Sequence, residues 1–131
     1  MPRRKAIYSD AFGHSNPIPA AAQLGNILVT GIVNGIDPAK PDQPGTLEEQ
    51  AALMFQRVAD IMKSAGGSTD NILKLNVQMP DLSDRKAVNA EWVKMFPDAA
   101  ARPARQTMHA VLDRGKLIQC DVLAVMDKST N

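Results

Sequence analysis

The spacing of apolar positions changes character along the chain, and each change predicts an element. Leu47, Ala51, Met54, Val58, Ile61 and Ala65 recur at four-three spacing, which makes one apolar stripe of an amphipathic helix. Thr46-Leu47-Glu48-Glu49 ahead of the stripe fits a capping box, and Gly66-Gly67 behind it fits a helix stop. From Ile72 the period shortens to two: Leu73, Leu75, Val77 and Met79 alternate with Lys74, Asn76 and Gln78 in a half-buried strand ending at Pro80. A second helix is predicted over about 83–96, with Val88, Trp92 and Met95 on one side and Pro97 as its stop. Further strands are predicted over 5–8, 27–33, 104–112 and 116–125. Asp113-Arg114-Gly115 between the last two has the composition of a tight hairpin turn. The Pro-rich stretch 37–45 is loop.

Strands outnumber helices in this order, so the fold class is α+β: a mixed sheet with two helices packed on one face. The other face carries Thr30, Asn76, Gln78, Arg105 and Gln119, a mixture that suits a subunit interface holding a site. At 131 residues the chain is the length of one domain, 1–131, and can bury roughly two thirds of its unfolded surface.

Charge removes several functions. Fifteen basic against fourteen acidic residues leave +1, and aromatic residues make up 4%, so neither a phosphate track nor a stacking platform for nucleic acid is evident. The basic run Arg3-Arg4-Lys5 is short and reads as a solvated start. No stretch approaches the roughly 18 apolar residues of a membrane span, and no signal-peptide core follows the basic run, so a cytoplasmic protein is expected. The lone Cys120 alternates with Ile118 and Val122 and reads as a core thiol; with His14 and His109 as the only histidines, no metal site is expected.

Arg105, Thr107 and His109 fall on alternate residues of an otherwise strand-like, buried-looking segment, which places a cation, a hydroxyl and an imidazole on one face. A guanidinium there either pairs with an internal acid or forks onto a ligand carboxylate.

The blocks QLGNILVTG (23–31), AGGSTDNILKLNVQMPDLSD (65–84), VNAEWVKMF (88–96) and RPARQTM (102–108), followed by LAV, resemble the Rid proteins, also called YjgF or L-PSP proteins. The resemblance implies a chorismate-mutase-like α+β fold assembled as a homotrimer with clefts between subunits. It implies a hydrolytic deaminase of reactive enamine or imine acids that needs no metal or organic cofactor. Arg105 matches the family arginine that grips the substrate carboxylate, and Asn89 matches an asparagine near the cleft. Other positions depart: Ile18 stands where a tyrosine is usual, Gly31 replaces a serine, Thr107 replaces a common cysteine, and Gln119 aligns with the glutamate that positions water. An amide orients water but takes no proton at neutral pH. His109 and Asp121 are candidate replacements for the acid–base group, although each has a plainer reading as a surface or interface residue.

Two functions follow. One is a deaminase in which Arg105 binds carboxylate, Thr107 stabilises charge at the reacting carbon and Gln119 places water. Ile18 and Gly31 would then open the cleft to a bulkier acid of the aminomuconate kind. The other is a trimer that binds a small carboxylate without turnover. An endoribonuclease, a label often attached to the family, has the least support from the charge and aromatic content.

Overall fold

The computed structural model describes residues 3–10, 13–14, 16–40 and 42–127. It is a mixed α+β structure with two helices and one open sheet, as the alternation of periods predicts. The elements are β1 (Lys5–Ile7), β2 (Ala21–Leu24), β3 (Ile27–Thr30), β4 (Val33–Asn34), α1 (Leu47–Ser64), β5 (Ile72–Met79), α2 (Lys86–Met95), β6 (Ala104–His109) and β7 (Gln119–Val125). Among the described residues the sheet runs β1-β2-β3-β7-β5-β6, with β4 also on β7. Among the described residues only the β5–β6 pairing is parallel.

Helix α1 starts and stops for the reasons its sequence gives. Thr46 Oγ1 accepts from the Glu49 amide (3.1 Å) and Glu49 Oε1 from the Thr46 amide (2.9 Å), closing the capping box. The hydrogen bond from the Thr46 amide, and after it one from the Thr46 side chain, hold the Glu49 carboxyl below its usual range. At the other end Gly66 takes φ +84° while its amide bonds Lys63 O and the Gly67 amide bonds Met62 O, a Schellman closure. Ala51, Met54, Val58 and Ile61 are buried as the stripe requires, and Cys120, Ile118 and Val122 share that core. Met54 and Met62 are fully buried. The stripe underestimates the buried surface of α1, because Gln50 and Arg57 are also buried. Gln50 Nε2 donates to Gly45 O and Gly115 O, and its Oε1 accepts from the Leu117 amide, so it clamps two loops to the helix. Arg57 donates from Nη1 to Asn34 O (2.9 Å) and Oδ1 (3.1 Å), tying α1 to β4.

Four sequence expectations are corrected. The segments around Asp113-Arg114-Gly115 do not form a hairpin: β5 lies between β6 and β7, and the connection from His109 to Gln119 spans the width of β5. The run 27–33 breaks after Thr30 into β3 and β4, whose registers on β7 differ by one residue. β2 was not expected, because Ala-Ala-Gln-Leu has no apolar alternation; it forms by pairing between β1 and β3. β6 is no buried strand but the edge strand, with Ala104, Gln106, Met108 and His109 exposed.

Candidate functional site

Register decides what Arg105 faces. In the parallel β5–β6 pair Leu75 lies beside Arg105 and Val77 beside Thr107, so both β6 side chains share the helix-covered face with two core residues. Edge position keeps them half-buried rather than buried. Helix α2 supplies their surroundings. Arg105 Nη2 donates to Asn89 Oδ1 at 2.8 Å, and the guanidinium carbon lies 5.0 Å from the centre of the Trp92 ring. Phe96 meets that indole edge-on at 4.9 Å and 61°. Arg105 is therefore held from two sides, and its Nη1 is buried with no hydrogen-bond partner among the described residues. Thr107 Oγ1 is buried and unpartnered in the same sense. Burial, and after it the like charge of Arg85, holds the guanidinium below its ordinary pKa. It remains a cation at neutral pH.

Gln119 and Asp121 lie on the opposite face. Gln119 is in register with Gln78, and Asp121 with Asn76, while the alternate residues Cys120 and Val122 face the helices. Gln119 Nε2 donates to Gln78 Oε1, and Asp121 Oδ1 accepts from Asn76 Nδ2 at 2.9 Å. This corrects the grouping of Arg105 with Asn76, Gln78 and Gln119 on one uncovered face. Within one chain, two strand spacings, about 10 Å, and the thickness of the sheet separate Arg105 from Gln119.

Gly31 belongs with a third element, the loop before β2. Its amide bonds Ala20 O at 3.0 Å, and a Cβ at this position would stand 3.8 Å from His14 Nε2. Ile18 lies in the same loop, 45% exposed. Continuing the β3–β7 register places Gly31 near the level of Asp121, three strand spacings from β6. His109 ends β6, exposed, beside Met79. The predicted residues thus form two groups: Arg105, Thr107 and Asn89 on the β6–α2 side, with His109 exposed at the end of β6, and Ile18, Gly31, Gln119 and Asp121 around β3, β4 and β7. Trp92, expected only as a core anchor, is buried and also carries Arg105. Its i,i+3 relation to Asn89 was the available signal. His14, considered in sequence only as a metal ligand, sits against Gly31.

A cavity of about 900 Å³ opens at the other end of the sheet, lined by Lys5, Gln23, Asn26, Gly66, Asn71 and Asp127 among others, and touches neither group. It is a polar trough between the β2–β3 turn and the end of α1, without a buried charged group, so the Arg105 surroundings are the better candidate. Among the described residues no cluster of three His, Cys, Asp or Glu side chains could hold a metal, and no helix is long and apolar enough to cross a membrane.

Comparison with known proteins now places the chain. The family model of Endoribonuclease L-PSP matches residues 8–126. The chain belongs to this family. Its relatives include the mitochondrial protein mmf2 of Schizosaccharomyces pombe, 36% identical over 51% of this chain and 52% of that one. A 2-iminobutanoate/2-iminopropanoate deaminase from Capra hircus is 32% identical over 73% of this chain and 70% of its own. Among solved structures, RidA from the Antarctic bacterium Psychrobacter sp. PAMC 21119 superposes with a TM-score of 0.83, covering 93% of this chain and 99% of that one at 24% identity, which shows the shared fold.

Proposed function

We propose that this L-PSP family chain is a Rid-type deaminase, hydrolysing reactive enamine or imine acids to 2-oxo acids and ammonia in clefts shared between copies of a homotrimer. The observation that carries the reading is the guanidinium of Arg105, fixed by Asn89 and Trp92, with a buried and unpartnered Nη1 beside the unpartnered Thr107 hydroxyl. A carboxylate is the ligand that a planar fork of donors fits. The goat relative named as an imine deaminase supports the same chemistry. Separation of the two residue groups across the sheet supports a cleft in which one copy contributes Arg105, Thr107 and Asn89 and its neighbour contributes Ile18, Gly31 and Gln119.

In this reading the substrate carboxylate docks on Arg105 and leaves the imine carbon near Thr107. A water held by the Gln119 amide adds its oxygen to that carbon as a proton passes to nitrogen. The C–N bond of the resulting carbinolamine then breaks, releasing ammonia and the 2-oxo acid. Ile18 and Gly31 leave room for a bulkier acid than aminoacrylate.

Ammonia release from enzymatically generated 2-aminoacrylate and 2-iminobutanoate, with wild type against Arg105→Ala, tests the reading. Acceleration over buffer that the variant loses supports it; no acceleration on these or on bulkier imines sinks the deaminase. A second reading, carboxylate binding without turnover, is favoured by one observation: Gln119 is an amide already engaged with Gln78. It expects saturable 2-oxo acid binding that Arg105→Ala abolishes.

A further inference from the structure

A half-buried arginine is ordinarily held by a carboxylate, yet Arg105 takes part in no ion pair among the described residues. Trp92 stands in the place of the acid. The guanidinium carbon lies 5.0 Å from the centre of its ring, inside the range over which a ring face attracts a cation, and indole offers the strongest such face. The ring is itself fixed: Trp92 is 9% exposed, Phe96 meets it edge-on, and the Phe96 amide bonds the Trp92 carbonyl at 2.8 Å. Arg102 Nε donates to the Phe96 carbonyl at 2.8 Å, which ties that end of α2 to the residues leading into β6. Ring and guanidinium therefore belong to one frame. Asn89 alone would leave the guanidinium free to turn about a single hydrogen bond, whereas a ring face sets its plane.

We infer that Trp92 is a positioning residue for the substrate carboxylate, its ring face replacing a counter-ion so that Arg105 is held in place with its donors left for the ligand. The inference rests on the Arg105 grip proposed above and adds a residue that acts through Arg105 rather than on the substrate. An acid in this place would occupy the guanidinium fork and cancel its charge. A ring face attracts the same cation without accepting in the plane of the N–H groups, and Nη1 accordingly has no hydrogen-bond partner among the described residues. Ligand affinity scales with the fraction of copies in which the binding group is already aimed, so loosening a side chain with this many rotamers weakens binding.

Trp92 is the single tryptophan of the chain, so producing the protein with mono-, di- or trifluorinated tryptophan alters this ring and no other. Fluorines withdraw electron density from the ring face while nearly preserving its shape, which separates the attraction for a cation from packing. Calorimetry with 2-oxobutanoate, a stable product analogue, is the measurement. Affinity is expected to fall stepwise along the series, to about a tenth at the trifluorinated ring. Trp92→Phe keeps a weaker face and should lose about threefold, and Trp92→Leu keeps none and should lose about tenfold. In ammonia release from 2-iminobutanoate, Trp92→Leu should raise KM while kcat stays within about twofold, because the reacting end of a docked substrate is unchanged. If Trp92→Leu does not fold, the fluorinated series decides alone. Binding that Arg105→Ala abolishes but that is flat, or tightens, along the series would overturn the role of Trp92 and leave the Arg105 grip standing. Binding indifferent to Arg105→Ala, or no binding by wild type, would overturn the grip and this inference with it.

Discussion

Arg105 reaches its position because three neighbours constrain a side chain that otherwise has many rotamers. Asn89 fixes one terminal nitrogen, Trp92 the plane, and the Leu75 register the face of the sheet. Gln119 shows the opposite economy, spending its amide on Gln78 across the strands. If water activation limits the rate, Gln119→Glu should raise ammonia release by about 10²-fold or more, the range of general-base assistance. Gln78 can turn its amide to donate to the new carboxylate, so folding should survive. An unchanged rate in a folded variant would argue that another group handles the proton. Alternation alone showed that Arg105, Thr107 and His109 share a face. Which face they share was illegible, because that depends on β5, a strand thirty residues away whose register no local pattern encodes.

Helix α1 was legible from Thr46 to Gly67 because its signals are local: a cap, a stripe and a glycine. Pairing of the last two strands was not. Asp-Arg-Gly has hairpin chemistry, yet the parallel β5–β6 ladder and the antiparallel β5–β7 ladder together place β5 between them. Nor did the stripe reveal how tightly α1 sits on the β4 loop. A Cβ added at Gly35 would fall 1.8 Å from the carbonyl oxygen of Gln50, and that oxygen belongs to the backbone and cannot swing aside. Gly35→Ala must therefore push α1 off β4, straining the Arg57–Asn34 bonds and the Gln50 clamp together. We expect a loss of roughly 3 kcal/mol, at the upper end of ordinary overpacking. Thermal unfolding should show it as a fall of about 10 °C in Tm. Gly13→Ala, at a position with open space around it, is the control that should leave Tm in place. A Tm for Gly35→Ala within 2–3 °C of wild type, on the order of 1 kcal/mol, would show that the loop relaxes instead.

Among the described residues one sheet face carries no helix, and that face is not uniformly polar. Leu24, Ile27, Val29 and Val125 are 37–54% exposed there, and Leu123 is half-buried beside Val29. On the same face β5 and β7 carry the Asn76–Asp121 and Gln78–Gln119 pairs. An apolar strip bordered by hydrogen-bonded polar pairs is the composition of an interface core with its polar rim. The strip also lies on the β3–β7 side, beside Gly31 and the loop of Ile18, so a neighbour docked on it would be held close to those residues. Val29→Arg separates assembly from folding, because a side chain nearly half exposed in the single chain can carry charge without entering the core. In the proposed homotrimer each such arginine would be buried at the interface without a partner, at a desolvation cost that the exposed side chain of a single copy never meets. Sedimentation should therefore report a single folded chain for Val29→Arg and a trimer for wild type. Ammonia release should vanish with the trimer, although Arg105, Thr107 and Asn89 remain untouched in every copy. A monomeric variant that still turned over would place the complete site within one chain, and the shared cleft would be wrong.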